Sequence, residues 1–205
     1  MRRYLLHYLV MRSPLPNCML LGASALLLVS CATPKEEIRT AEAVKPGQHP
    51  ERPLFEWNGG DSTGPVSISI SLKEQKARIF RAGQPVGWTY VATGRNSFPT
   101  PRGSFSVQEK QAEKHSNKYG VIVNSDGNVV NGNATAGKHA VPAGGRFLGA
   151  PMPHWMRLTS YGVGMHAGPI PNPGSPASHG CIRLPPEMAE TLFSVVEVGT
   201  PVTIQ

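Results

Sequence analysis

The chain has 205 residues, enough for one domain with a substantial core plus tails and not for two large domains. Twenty basic residues against thirteen acidic ones give a formal net charge of +7. Three of the twenty (Arg2, Arg3 and Arg12) precede residue 31 and every acidic residue follows it. The excess in the body is mild and unclustered, without the aromatic-interleaved basic stripe that nucleic-acid binding requires, so nucleic acid is not expected as a partner. In chain order the first element is a leader. "MRRYLLHYLVMRSPLPN" is basic, and "CMLLGASALLLVS" runs apolar from Cys18 to Val29. A charged n-region before a short apolar h-region reads as a secretory signal, too short and wrongly flanked for a comfortable transmembrane span. Met11 is a second candidate start, because Arg12 would still supply the charge.

The apolar run ends in Leu28-Val29-Ser30-Cys31, which resembles a bacterial lipobox. Small residues before the cysteine suit a peptidase pocket, and the Cys31 thiol is the only nucleophile there able to take a diacylglyceryl group. An ordinary signal peptide cut near Ala32, or a retained anchor, is the competing reading. The lipobox implies an exported lipoprotein facing the periplasm, joined to a membrane through the lipid on Cys31. Because Ala32 follows the cysteine in place of an aspartate, the outer membrane is favoured over the inner. Beyond Cys31, "TPKEEIRTAEAVKPGQHPERP" and "NGGDSTGP" are rich in Pro, Gly and charge and lack an apolar period, as in a disordered tether. Only "PLFEW" (53–57) offers a patch to dock on the domain. The chain therefore divides into a leader (1–30), a lipidated cysteine with its tether (31–65) and a folded domain (66–205).

The domain opens with "VSISISL", where Val66, Ile68, Ile70 and Leu72 alternate with serines, the period-two pattern of a half-buried strand. "KARIFRAGQPVGWTYVATG" predicts two short strands around Ala82-Gly83-Gln84-Pro85. "TPRGSFSV" predicts another after a Pro-Gly turn, and "GVIVNSDGNVVNG" a hairpin closed near Asp126-Gly127. "WMRLTSYGVGMHAG" predicts two strands about Ser160-Tyr161-Gly162. Only "PPEMAETLFSVVE" reads as a helix, with proline in its first turn, Glu187 and Glu190 near its positive end, and Met188, Leu192, Val195 and Val196 on one face. "TPVTI" closes the chain as a strand. Many short strands, Gly/Pro turns and one C-terminal helix define a mostly-β, sandwich- or barrel-like domain.

Cysteine usage is sharper evidence. Cys18 leaves with the leader, Cys31 is acylated in the lipobox reading, and Cys181 has no partner, which excludes a disulfide framework. In an oxidising compartment a lone thiol is a liability. It is either buried and inert or kept for its reactivity. A cysteine nucleophile needs a base, backbone N–H groups aimed at the developing oxyanion, and access. "SHGC" (178–181) supplies a turn in which Gly180 permits a backbone conformation that side chains block, presenting the N–H groups of Gly180 and Cys181. His166, at the end of the apolar strand "YGVGMH", is the candidate base; "AGPIPNPGSPAS" returns the chain to it. His115, His139 and His154 sit in polar or loop contexts and have weaker claims. A buried inert thiol remains open, as does a zinc site of His166, His179 and Cys181, although H-x-C is not a common structural spacing and no fourth ligand is evident.

"SHGCIRL" preceded by "MHAG" resembles the YkuD-type L,D-transpeptidase domain, also grouped under ErfK/YbiS/YcfS/YnhG. The likeness extends to the opening strands from Val66, to "FPTPRGSFSV" as a T-P-x-G-x-F turn, and to "APMPHWMRLT" before the histidine, and so covers about Val66 to the C-terminus. It implies an enzyme acting on peptidoglycan stem peptides. Cys181, as thiolate, attacks the L-centre carbonyl of the third stem residue and expels D-alanine. His166 is the acid/base and the Ala167 carbonyl orients it. Gly180 and His179 support the oxyanion and the turn. The acyl group passes to an amine: another stem (a 3→3 cross-link), a lipoprotein lysine or a D-amino acid. Arg183 is a candidate partner for a substrate carboxylate, with a structural ion pair as the alternative. Ser178 is placed at the substrate site or as a brace of the turn, and Trp155 and Tyr161 as groove walls or core. A hydrolase of the same thioester chemistry and a non-catalytic wall-binding lipoprotein are the alternatives. No metal or cofactor is implied, and no Gly-rich phosphate loop or paired carboxylates are present. Two departures stand out: Ala167, where many members carry glycine, and the long stretch 121–147, which reads as a surface insertion ahead of a lid or substrate-selecting loop.

Overall fold

Val66, Ile68 and Ile70 alternate with serines in the sequence. In the computed structural model, which describes residues 53–205, all three are buried on one face of a strand. The leader, Cys31 and the tether as far as Arg52 lie outside the described residues. In chain order the strands are β1 (Phe55–Trp57), β2 (Val66–Ser71), β3 (Lys76–Arg81), β4 (Gln84–Tyr90), β5 (Gly103–Ser106), β6 (Glu109–Gln111) and β7 (His115–Val123). There follow β8 (Val129–Thr135), β9 (Arg146–Pro151), β10 (Trp155–Arg157), β11 (Gly164–Ala167), β12 (Ile182–Leu184), the helix α1 (Pro186–Val195) and β13 (Pro201–Ile204).

They form three sheets, with strand orders β1-β4-β3-β2-β13-β5, β12-β11-β10-β6 and β8-β7-β9. The fold is mostly β with a single C-terminal helix, as the sequence predicts. In the first sheet β3 turns into β4 through Ala82 and Gly83, both at positive φ (46° and 80°), the combination that matches hairpin twist. Gln84 and Pro85, expected in that turn, already belong to β4. The C-terminal β13 inserts between β2 and the edge strand β5, parallel to the first and antiparallel to the second.

The expected extent of the tether needs correction. Phe55 to Trp57 pair antiparallel with β4, and Phe55 and Trp57 pack against the core. The folded body therefore includes the "PLFEW" patch and begins before residue 66. Two other strands, β6 and β9, have no counterpart in the predicted elements.

The core lies between the first sheet, the second sheet and α1. Ile68, Ile70, Ala77, Ile79, Val202 and Ile204 meet Met156, Met165, Ile182 and Leu184, with Met188, Ala189 and Leu192 closing the cluster from the helix. Proline occupies the first turn of α1, where its missing N–H is not needed, and Glu187 faces the positive helix end. The hairpin between β7 and β8 closes near Asp126-Gly127 as expected: Asn124 Oδ1 accepts from the N–H groups of Asp126 and Asn128, and Gly127 takes φ 84°. Residues 121–147, read as a surface insertion ahead of a lid or substrate-selecting loop, supply the end of β7, all of β8 and the start of β9.

Alternation along β2 gives a direct test. Ile70→Ala should cost about 2–5 kcal/mol through lost burial and a residual cavity, whereas Ser69→Ala, on the opposite face, should stay within about 0.5 kcal/mol. Urea unfolding of the two variants measures the difference, and similar midpoints would contradict the assigned faces.

Candidate active site

The site is set by two short strands. β11 and β12 are parallel neighbours with Met165 opposite Ile182, His166 opposite Arg183 and Ala167 opposite Leu184. Side chains alternate across a strand, so Met165, Ile182 and Leu184 enter the core while His166 and Arg183 point to the other face. Cys181, immediately before β12, continues that outward series. A groove of about 1310 Å³ runs over this face, and Cys181, His166 and Arg183 all line it. Lining residues from β7 and β9, including Tyr119 and Leu148, form part of its wall. Cys181 is half-buried. Its Sγ lies 3.8 Å from the Gly162 carbonyl, to which the thiol donates.

His166 is buried and its Nδ1 donates to the Ala167 carbonyl at 2.7 Å. That bond assigns the proton of the neutral ring to Nδ1 and leaves Nε2 with its lone pair. Trp155 supports the ring from 6.1 Å between centroids. Gly164 makes room for it, because a Cβ there would come within 2.7 Å of the Trp155 ring. Burial first of all, with a smaller contribution from the Arg183 charge and against the Ala167 bond, holds the His166 pKa down to about 4. Burial also pushes the Cys181 thiol up, against weaker opposing effects of the Gly164 N–H and Arg183. Removal from water thus disfavours both charged forms, the Cys181 thiolate and the His166 imidazolium.

The turn before β12 is braced from within. Gly180 adopts φ 114°, a region that side chains rarely enter. Ser178, fully buried, accepts from the Gly180 N–H at 3.0 Å and donates to the Cys181 carbonyl at 2.5 Å. The Gly180 N–H, expected at the oxyanion, is thus occupied within the turn, and the Ser178 hydroxyl proton is committed to the Cys181 carbonyl, in keeping with the bracing alternative for Ser178. His179 is held by its surroundings. Its ring stacks on Tyr119 at 4.4 Å, meets Phe98 edge-on at 4.8 Å, and its Nε2 accepts from Arg95 at 2.7 Å. With Nε2 committed to the Arg95 guanidinium, the ring proton of neutral His179 sits on Nδ1. That guanidinium also opposes a cation, which speaks against the zinc reading; among the described residues no cluster of three His, Cys, Asp or Glu side chains has metal-binding geometry.

The remaining candidates separate. Trp155 is core, fully buried behind His166, although the ring borders the groove. Tyr161 stands 71% exposed at the rim. Arg183 has no carboxylate partner among the described residues, whose ion pairs are Arg78–Glu74 and Arg157–Glu109. Burial and the nearby Arg95 charge lower its pKa. None of the described lining residues is acidic, while Lys114, Lys118, Arg157 and Arg183 are basic. Sequence reasoning missed Phe98, Tyr119, Arg95 and Thr100, which grip the turn from positions distant in the chain; only "FPT", inside the quoted T-P-x-G-x-F turn, hinted at any of them.

The family described as the YkuD L,D-transpeptidase catalytic domain matches residues 65–204. A probable L,D-transpeptidase 3 from Mycobacterium tuberculosis is 31% identical over 120 residues, which is 56% of this chain and 37% of that protein. An L,D-transpeptidase structure from Mycobacterium smegmatis aligns with TM-score 0.52 and 26% identity over 69% of this chain and 59% of that one. The LD transpeptidase LdtMt1 in complex with imipenem aligns with TM-score 0.51 and 26% identity, covering 68% and 58%. The chain thus spans well under two thirds of the length of these relatives. With the family match running across the Cys181 turn, His166 and all three sheets, the chain belongs to the YkuD-type L,D-transpeptidase catalytic domain family.

Proposed function

We propose that the domain is a cysteine acyltransferase acting on peptidoglycan stem peptides, with Cys181 as nucleophile and His166 as base and then acid. The observation that carries this reading is the shared groove face of Cys181 and His166, with His166 Nε2 left free by the Nδ1 bond to Ala167. Because the resting pair is neutral, the thiolate forms during attack. Nε2 takes the Sγ proton as sulfur bonds to the L-centre carbonyl carbon of the third stem residue. The tetrahedral intermediate then collapses: the C–N bond to the terminal D-alanine breaks, and the proton passes from Nε2 to the leaving amine. The acyl group remains as a thioester on Cys181. An acceptor amine, giving its proton to His166, resolves it and restores the thiol.

The basic groove suits a donor that carries carboxylates, and Arg183, unpaired in the fold, is assigned to one of them. Tyr161 at the rim is assigned to the groove wall. The acceptor is a neighbouring stem amine, giving a 3→3 cross-link, or a lipoprotein lysine or D-amino acid. At the N-terminus, Cys31 carries a lipid that holds the domain at the periplasmic face of a membrane, the outer one by the residue after it. Labelling with a radioactive fatty acid should mark the wild-type chain in a bacterial host and not Cys31→Ala.

Incubation with imipenem should add one drug mass to Cys181 and none to Cys181→Ala, as read by intact mass and peptide mapping. Tetrapeptide stems should yield cross-linked dimers with loss of one D-alanine; D-alanine loss without dimer would assign water as the acceptor, and no reaction at all would refute the proposal.

The charge state has its own test. With His166 neutral above about pH 4 and the thiol pKa raised, only the small thiolate fraction is alkylated, and that fraction grows with pH. The iodoacetamide rate should therefore climb by about tenfold per unit from pH 6 towards 9. A flat plateau through neutrality would indicate a standing thiolate–imidazolium pair instead.

A further inference from the structure

The Gly180 and Cys181 peptide units carry four polar groups, and three have partners inside the fold. The Gly180 N–H donates to Ser178 Oγ, the Cys181 carbonyl accepts from the same hydroxyl, and the Gly180 carbonyl accepts from Thr100 Oγ1 at 2.8 Å. Only the Cys181 N–H has no partner among the described residues. Thr100 is itself fixed. It is buried, and its oxygen accepts from the Gly94 N–H at 2.8 Å. With that N–H pointing at the oxygen, the single hydroxyl proton is directed to the Gly180 carbonyl.

The peptide joining Gly180 to Cys181 is planar and trans, so its C=O and N–H point in opposite directions. Holding the carbonyl inward against Thr100 turns the Cys181 N–H outward, towards the groove that Cys181 lines. Gly180, at φ 114°, is the joint about which this plane would otherwise rotate. The surrounding segment acts in the same sense. Thr93 O accepts from the N–H groups of Ala177 and Ser178, and Arg95 N–H donates to the Ser178 carbonyl. These bonds hold the start of the turn, while Thr100 alone holds the peptide that carries the N–H.

We propose that Thr100 is a positioning residue for oxyanion stabilisation: its hydroxyl, bonded to the Gly180 carbonyl, orients the peptide whose Cys181 N–H stabilises the tetrahedral oxyanion. The inference rests on the acyl-transfer reading above and deepens it. Thr100 touches neither substrate nor sulfur and acts through the peptide plane.

The test uses two reactions of the same sulfur in the full chain. Acylation by imipenem passes through an oxyanion; alkylation by iodoacetamide displaces iodide and forms none. Thr100→Val, close to isosteric, should slow acylation by at least about tenfold and leave the alkylation rate within about twofold, while Thr100→Ser should restore most of the acylation. Equal slowing of both reactions would overturn the proposal, because Thr100 would then support the turn as a whole. An unchanged acylation rate in Thr100→Val would overturn it as well. The absence of any imipenem adduct on the wild type would overturn both this inference and the acyl-transfer reading, whereas an adduct formed equally fast in Thr100→Val would overturn the role of Thr100 alone. Should Thr100→Val fail to fold, as judged by its thermal transition, Thr100→Cys gives the second comparison: its thiol, a weak donor, should lower acylation and spare alkylation at Cys181, and any other pattern counts against the proposal.

Discussion

The register between β11 and β12 sets every other feature of the site. A parallel pair cannot be joined by a tight turn, so the chain must leave Ala167, travel through residues 168–181 and return alongside itself. That excursion places the SHGC turn at the N-terminal edge of β12, with Cys181 continuing the face shown by Arg183. Because the side-chain period in a strand is two, a slip of one residue would send the sulfur into the core and Ile182 into the groove. The apolar partners Met165, Ile182 and Leu184, all fully buried, exclude that alternative. The burial of three aliphatic side chains thus fixes where the chemistry sits, and the groove residues themselves need not contribute to stability.

The same burial governs the protons. A histidine with one ring nitrogen committed to the Ala167 carbonyl and the other free is prepared to accept a proton, yet removal from water keeps it from holding one at rest. A buried thiol resists ionisation for the same reason. Both groups are thereby biased towards their uncharged forms. Such a thiol is less exposed to the oxidation that threatens a free thiolate. In the proposed acyl transfer the energetic demand would move to the transition state, where negative charge develops on sulfur and then on oxygen.

Local pattern carried the sequence reading where structure is local. Val66 to Ser71 alternate cleanly because one face of β2 is core, and the helix was legible from its prolines, its first-turn acid and its apolar stripe. β1 and β6 are three-residue strands, too short for any periodicity to register, and both exist by pairing with a partner far along the chain. Cys181 and His166 were found through their motif, but the partners that shape their surroundings were not. Thr100 meets Gly180 across eighty positions, and Tyr119 meets His179 across a sheet boundary. An isolated Thr or Tyr bears no mark of such a contact. The Gly180 N–H, expected at the oxyanion, donates instead to the Ser178 hydroxyl two residues before it. In stretch 121–147 the hairpin turn was legible, but not that β9 returns to pair with β7 and carries residues to the groove wall.

Arg183 illustrates how opposing electrostatic effects decide a role. Its charge lowers the pKa of Cys181, favouring the thiolate, and also lowers that of His166, disfavouring the imidazolium. Moving a proton from sulfur to imidazole creates both ions at once, so the two effects of Arg183 oppose each other in that step. A guanidinium placed there to activate the thiol would be poorly placed. What does not cancel is its attraction for an anion brought in from outside. Arg183 is half-buried, repelled by Arg95 and without a carboxylate partner in the fold, and a carboxylate on the incoming peptide would relieve that repulsion while leaving the proton transfer nearly unaltered. In the proposed reaction this favours substrate binding over proton chemistry for Arg183, with the proton steps assigned to His166 and the shape of the turn to Ser178 and Thr100.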